Sequence, residues 1–223
     1  MFFNLQSRLV HILNAIVYTV HHMNNKDKDD SLTLEILQVI ENQNDVTQRH
    51  LADKLGVALG LANSYLKRCV LKGLVKVQQA PANRYLYYLT LKGFAEKSRL
   101  TADYLSTSFN FYRDASSSIT QIYQQYEATC LKRILFCGVS ELAEIASIRS
   151  HDYKFNIVGI FDPLTDKKNF LDLQVINDLK KAPVFDACLV TSLSDAQELF
   201  ALLNKNIAPE IIYVPSILGI NRN

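Results

Sequence analysis

Two groups of residues in this chain have types and spacings that could do chemistry, and neither resembles machinery for covalent catalysis. The first is Gly60, Asn63, Ser64, Lys67 and Arg68. Steps of three and four place such residues along one side of a helix. Asn and Ser suit base edges, and Lys and Arg suit phosphates or guanine. Gln48 and Arg49 upstream and Arg84 downstream are further donors of the same kind. The second group is Gly138, Ser140, Glu141, Asp162, Thr191 and Ser192. A glycine before a helix lets a phosphate approach the backbone and the helix N-terminus. An acid some 20 residues on is placed to accept from a ribose hydroxyl, and Asp162 lies 24 residues past Gly138.

What is missing bounds the chemistry further. No nucleophile stands with a paired base, and no histidine sits at the end of a strand-like run. The five histidines lack metal-ligand spacing, and the four cysteines form no CxxC pair. No catalytic residue, no metal and no enzyme activity are expected. Cys69, Cys137 and Cys188 sit in apolar runs, as buried thiols do. A reducing, cytoplasmic setting is the simplest account.

Charge separates the two groups. From Val46 to Arg99 there are ten Lys/Arg against two Asp/Glu, while the rest of the chain carries 14 against 20. A near-neutral whole thus hides one basic module, the footprint of phosphate contact.

The elements that must position the first group follow closely on one another. Leu34, Ile36, Leu37 and Ile40 give an amphipathic helix over Leu32–Asn42. Thr47 is placed to cap a second helix carrying Leu51, Ala52 and Leu55 inward. Gly56 suits a left-handed turn. A third helix runs from about Leu59 to Lys72, with Leu61, Tyr65 or Leu66, Cys69 and Val70 inward, and Gly73 ends it. Two strand-like runs, Leu74–Gln78 and Tyr85–Thr90, flank a turn with Pro81 and Asn83. Arg84 falls near its tip. Helix, turn, helix and hairpin in this order predict an α+β winged helix-turn-helix over 31–99, which sets one helix in the major groove of double-stranded DNA.

From about Leu34 to Tyr112 the chain resembles the MarR-type winged-helix regulators found with exopolysaccharide gene clusters. The resemblance rests on Gln48-Arg49, Leu51-Ala52, Leu55-Gly56-Val57, Leu59-Gly60, Asn63, Leu66-Lys67, Lys72-Gly73-Leu74-Val75-Lys76, Leu89-Thr90, Lys92-Gly93, Glu96-Lys97 and Leu100-Thr101. It implies a dimeric transcriptional regulator of polysaccharide or cell-envelope genes. Members usually carry a basic residue after the glycine of the third helix. Here Leu61 and then Ala62 follow Gly60, which removes one expected phosphate or base contact and leaves the operator sequence open.

A helical segment capped by Thr90 runs to Glu127. Apolar or small residues recur at Ala95, Ser98, Ala102, Leu105, Phe109, Tyr112, Ser116, Ile119, Tyr123 and Tyr126. These steps of three and four suit a homodimer seam, with 100–130 as connecting helices. The alternative is one helix packed on its own domain. Ser116-Ser117-Ser118 offers a break.

Beyond residue 131 the pattern becomes strand, helix, strand. Arg133–Cys137, Phe155–Phe161, Phe185–Val190 and Pro209–Val214 read as strands. Ile145–Arg149 reads as a helix, and so does Ser194–Asn204 with a Ser194/Gln197 capping box. This predicts an α/β Rossmann-like parallel sheet over 131–223. Ligands bind such sheets beyond the strand ends, where Gly138, Ser140, Glu141, Asp162, Thr191 and Ser192 fall. Ser140 and Ala143 replace the second and third glycines of the dinucleotide fingerprint. Ser140 also reads as a helix cap, and Asp162 as a turn cap before Pro163.

The stretch Lys132–Pro215 resembles the small Rossmann-type units that precede sugar acyltransferases and occur in nucleotide-sugar enzymes. Gly138-x-x-Glu141-x-Ala143 and Phe161-Asp162-Pro163 carry that likeness. It implies a nucleotide or nucleotide-sugar effector. Three readings stay open: a regulator with a ligand-sensing domain, a regulator whose second domain is only a dimerisation or docking scaffold, and a Rossmann-class enzyme anchored to DNA. The N-terminal stretch Phe2–Met23, within 1–30, is too interrupted by polar residues to span a bilayer. It reads either as a packing helix or as sequence preceding a true start at Met23.

Overall fold

The computed structural model describes residues 25–81 and 84–221. The Phe2–Met23 stretch and the turn residue Asn83 lie outside them. The described residues fall into two compact units, 25–108 and 109–221.

The first unit opens with α1 (Asn25–Asn42), which starts earlier than the expected Leu32. Its first turns are polar and carry no apolar period, so periodicity alone could not find them. Leu34, Ile36, Leu37 and Ile40 are buried as expected. The Thr47 side chain accepts the His50 N–H at 3.1 Å and caps α2 (Gln48–Leu55). Gly56, at φ +61°, ends α2 in the left-handed region that glycine takes cheaply. Helix α3 spans Leu59–Leu71. Its buried line is Ala62, Leu66 and Cys69, and Leu61 is exposed, which corrects the inward placement of Leu61. Size misled that expectation, because the small Ala62 occupies the inward position. Strands β1 (Val75–Ala80) and β2 (Arg84–Leu89) pair antiparallel from Val75↔Leu89 to Ala80↔Arg84. Val46, Leu51, Leu66, Cys69, Leu74, Val75 and Tyr87 join Ile36, Leu37 and Ile40 in one core.

Helix α4 runs unbroken from Leu91 to Ala128. Thr90 caps it, accepting the Gly93 N–H at 3.0 Å. The expected break at Ser116–Ser118 does not occur. Ala115 and Ile119 are fully buried beside the serines, and the Ser118 hydroxyl meets that of Ser216 at 3.1 Å. Packing overrides the weak helix propensity of serine. The continuous seam expected along this helix divides in two. Ala115, Ile119, Ile122, Tyr123 and Tyr126 are buried within the second unit's own core. Ala95, Ser98, Ala102, Phe109 and Tyr112 are exposed, and Leu105 is half-buried.

The second unit holds a six-stranded sheet in the order β5-β6-β4-β3-β7-β8. Its strands are β3 (Arg133–Cys137), β4 (Asn156–Phe161), β5 (Asn169–Phe170), β6 (Leu173–Ile176), β7 (Ala187–Val190) and β8 (Ile212–Tyr213). All pairings are parallel except β5 with β6. Successive β3 residues serve opposite faces. Ile134 and Phe136 pack with α4 and with α5 (Glu141–Ser150). Leu135 and Cys137 pack with α6 (Ala196–Asn206). Two covered faces explain the unbroken apolar run of this strand.

Two local expectations need correction, and one hairpin is new. The β5–β6 hairpin was not foreseen, since its strands have two and four residues and carry little pattern. The first half of the Pro209–Val214 run is a 3-10 turn, Pro209–Ile211, followed by the two-residue β8. The Ser194/Gln197 capping box does not form. Asp195 is the N-cap of α6, and the Ser194 hydroxyl donates to the Asp195 carboxylate instead.

Candidate nucleic-acid interface and the sheet switch point

In the first unit, the capped α2 and the Gly56 turn set α3 on the surface with Gly60, Leu61, Ser64, Lys67 and Arg68 exposed. Gln48 and Arg49 are exposed at the first turn of α2, and Arg84 at the start of β2. Asn63 lies at the flank, half-buried. Its Oδ1 is buried without a hydrogen-bond partner among the described residues.

Arg68 is tied to a residue that sequence reasoning missed. Its Nη2 meets Asp29 Oδ2 at 2.8 Å, and its guanidinium lies 4.9 Å from the Tyr65 ring centroid. The Tyr65 hydroxyl donates to the other Asp29 oxygen. The Arg68 hydrogen bond, then the Tyr65 one, holds the Asp29 carboxyl below its usual range. The same Asp29 contact pushes the Tyr65 phenol up. No local pattern could have announced Asp29, since it pairs across 39 residues. Also in this unit, a concavity of about 390 Å³ is lined by Ile40, Tyr87, Leu89, Leu91 and Phe94, among others.

In the second unit the sheet order turns back between β3 and β7, where ligands of open α/β sheets bind. The structure gathers most of the second residue group there, bonded to one another or to adjacent backbone. Gly138 has φ +110°, and a Cβ added to it would lie 2.4 Å from the Ser192 nitrogen. Its smallness serves the close approach of two loops. The Thr191 hydroxyl, fully buried, donates to the Gly138 carbonyl at 2.6 Å. Ser140 caps α5, accepting the Leu142 N–H at 3.1 Å while its hydroxyl donates to the Thr191 carbonyl. Ser192 Oγ accepts the Asp195 N–H at 3.2 Å. Asp162 accepts the Val139 N–H at 2.8 Å on one oxygen and the Leu164 N–H at 2.9 Å on the other. Glu141 is half-buried in the first turn of α5.

Among the described residues no cluster of three or more His, Cys, Asp or Glu could hold a metal ion, and no helix is long and apolar enough to cross a membrane. Cys69, Cys137 and Cys188 are buried free thiols, and Cys130 is an exposed one.

Residues 29–76 match the winged helix-turn-helix DNA-binding family. No curated protein matches the chain. Solved structures with similarity include MepR, a transcription regulator of the Staphylococcus aureus multidrug efflux pump MepA. It is 17% identical over 50% of this chain and 82% of that one, with a TM-score of 0.33. FabT of Streptococcus pneumoniae, solved with DNA, is 19% identical over 58% of this chain and 99% of its own, with a TM-score of 0.31. A MarR-family regulator from Rhodococcus is 19% identical over 48% and 75%, with a TM-score of 0.31.

Proposed function

We propose that this chain is a cytoplasmic, MarR-type transcriptional regulator that binds double-stranded DNA through α3, with the β1–β2 hairpin as its wing. The observation that carries this reading is the exposed face of α3, where Ser64, Lys67 and Arg68 stand out from a helix held by the capped α2. The family match over residues 29–76 supports it. Polysaccharide or cell-envelope genes are the targets that the sequence resemblance implies. A homodimer through the exposed first half of α4 would present two such helices to two half-sites.

The second unit is read as Rossmann-like. The bonds that join Gly138, Ser140 and Thr191, and those that tie Asp162 and Ser192 to adjacent backbone, favour a dimerisation or docking scaffold there. A sensor of nucleotide or nucleotide sugar is the rival reading, and a thermal-shift panel of those ligands decides between the two.

The test of DNA binding is a mobility-shift titration over a range of salt. Binding falls steeply with salt, because several cations displace counterions from phosphate. Replacing Lys67 and Arg68 together by Ala weakens binding on every sequence, by roughly tenfold or more, and lowers the salt slope by about 2. Full affinity in that double variant removes α3 from the interface.

A further inference from the structure

The exposed face of α3 is divided in its chemistry. Its later turns carry Lys67, Arg68 and, just past its end, Lys72. Its first turn carries two leucines that the core does not take up. Leu59 is 45% exposed and Leu61 is 44% exposed, while Ala62 fills the inward position and is fully buried. Between the leucines stands Gly60, where an added Cβ would meet nothing within 4 Å. An apolar side chain is therefore held in the open beside a position with no side chain of its own. Exposed Arg49, Lys54, Lys67 and Arg68 lie on the same helix pair and outnumber its one acid, Asp53, with Arg68 also paired to Asp29 of α1.

The charge around the leucines argues for what covers them. A cationic surround suits a polyanion. In a recognition helix the N-terminal residues reach base edges. Leucine has no donor or acceptor, so it cannot read the hydrogen-bonding code of the major groove. The groove offers one apolar mark, the C5-methyl group of thymine.

We propose that Leu61 is a specificity-determining residue, one that selects thymine in each half-site through contact with the C5-methyl group. Lys67 and Arg68 then hold the phosphates, and the open position at Gly60 lets the base pair approach. This inference rests on the DNA-binding reading above.

The test replaces one methyl group at a time. Duplexes bound by the full-length protein are selected from a random pool. Each thymine of the winning site is then exchanged singly for deoxyuridine, which removes only the C5-methyl. At one thymine per half-site the exchange weakens wild-type binding about fourfold, as expected for loss of one buried methyl group. In Leu61→Ala the thymine and uracil duplexes bind alike at that position, while other positions keep their preferences. Circular dichroism melting confirms that the exposed substitution leaves the fold intact. Equal thymine-to-uracil ratios in Leu61→Ala and wild type overturn the inference, as does a site without any methyl-sensitive thymine. In those cases salt-dependent binding persists and the DNA-binding reading survives. Failure of the pool to enrich at any salt overturns both.

Discussion

Helix α3 and the switch point both carry residues suited to a phosphate-bearing partner, yet they spend their hydrogen-bonding capacity differently. On α3, Gly60, Ser64 and Lys67 face solvent, and Arg68 is exposed but paired with Asp29. At the ends of β3, β4 and β7, Gly138, Ser140, Asp162, Thr191 and Ser192 bond to one another or to adjacent backbone. Residue type alone does not separate these cases. A carboxylate that accepts two backbone N–H groups has met its needs within the fold, whereas a lysine held out by a packed helix is bonded to water that a partner's phosphate can displace. The difference teaches that a ligand-binding vocabulary becomes a site only where the fold leaves it unspent.

The sharpest way to break this contrast is Gly138→Ala. At φ +110°, with a Cβ 2.4 Å from the Ser192 nitrogen, alanine forces two loops apart. The expected loss is about 3 kcal/mol or more. Thermal unfolding should fall on the order of 10 °C. An unchanged melting temperature with abolished nucleotide binding would instead mean that Gly138 faces a ligand, and the contrast would collapse.

Asp162→Ala probes the same point with a smaller effect. It strips the acceptors from the Val139 and Leu164 N–H groups. A loss of about 1–3 kcal/mol follows, and Asp162→Asn, which keeps one acceptor oxygen, loses less. Chemical denaturation of the two variants checks the order. A stable Asp162→Ala that has lost only effector binding would return the residue to the sensor reading.

Much of the first unit was legible in the sequence, because its signals are local. Thr47, Gly56, Thr90 and the apolar period of α1 each act within one or two turns of themselves. Side-chain size points Leu61 inward, but the small Ala62 is buried there instead. In the second unit β3 was legible from its continuous apolar run. The β5–β6 hairpin was not, since so few residues carry no period. The character of the switch point was the least legible, because Thr191 and Gly138 meet across 53 residues. Asp29 escaped for the same reason, being paired with Arg68 across 39.

The two buttressed aspartates sharpen the comparison at the smallest scale. In the second unit, Asp186 accepts the Arg133 guanidinium at 2.6 Å and the Lys132 and Arg133 N–H groups at 3.1 and 2.9 Å, which ties the approach to β7 onto the start of β3. The Arg133 hydrogen bond, with the two backbone bonds, lowers the Asp186 carboxyl from 3.8 to about 2. A carboxyl lowered on folding stabilises the fold above its unfolded value and loses that contribution as pH falls through the folded one. The wild type should therefore lose stability between about pH 4 and about pH 2 more steeply than Asp186→Asn, and the two curves should converge in acid. At neutral pH the substitution should cost about 1–2 kcal/mol, kept small because Arg133 is half exposed. Near-ultraviolet circular dichroism of the packed Tyr123, Tyr126 and Tyr213 rings follows this unit. Asp29→Asn on the first unit should cost less than about 1 kcal/mol, because its pair with Arg68 is solvent-exposed on both sides. A larger cost at Asp29 than at Asp186 would reverse the contrast, making Arg68 a structural clasp rather than a side chain ready to exchange Asp29 for phosphate.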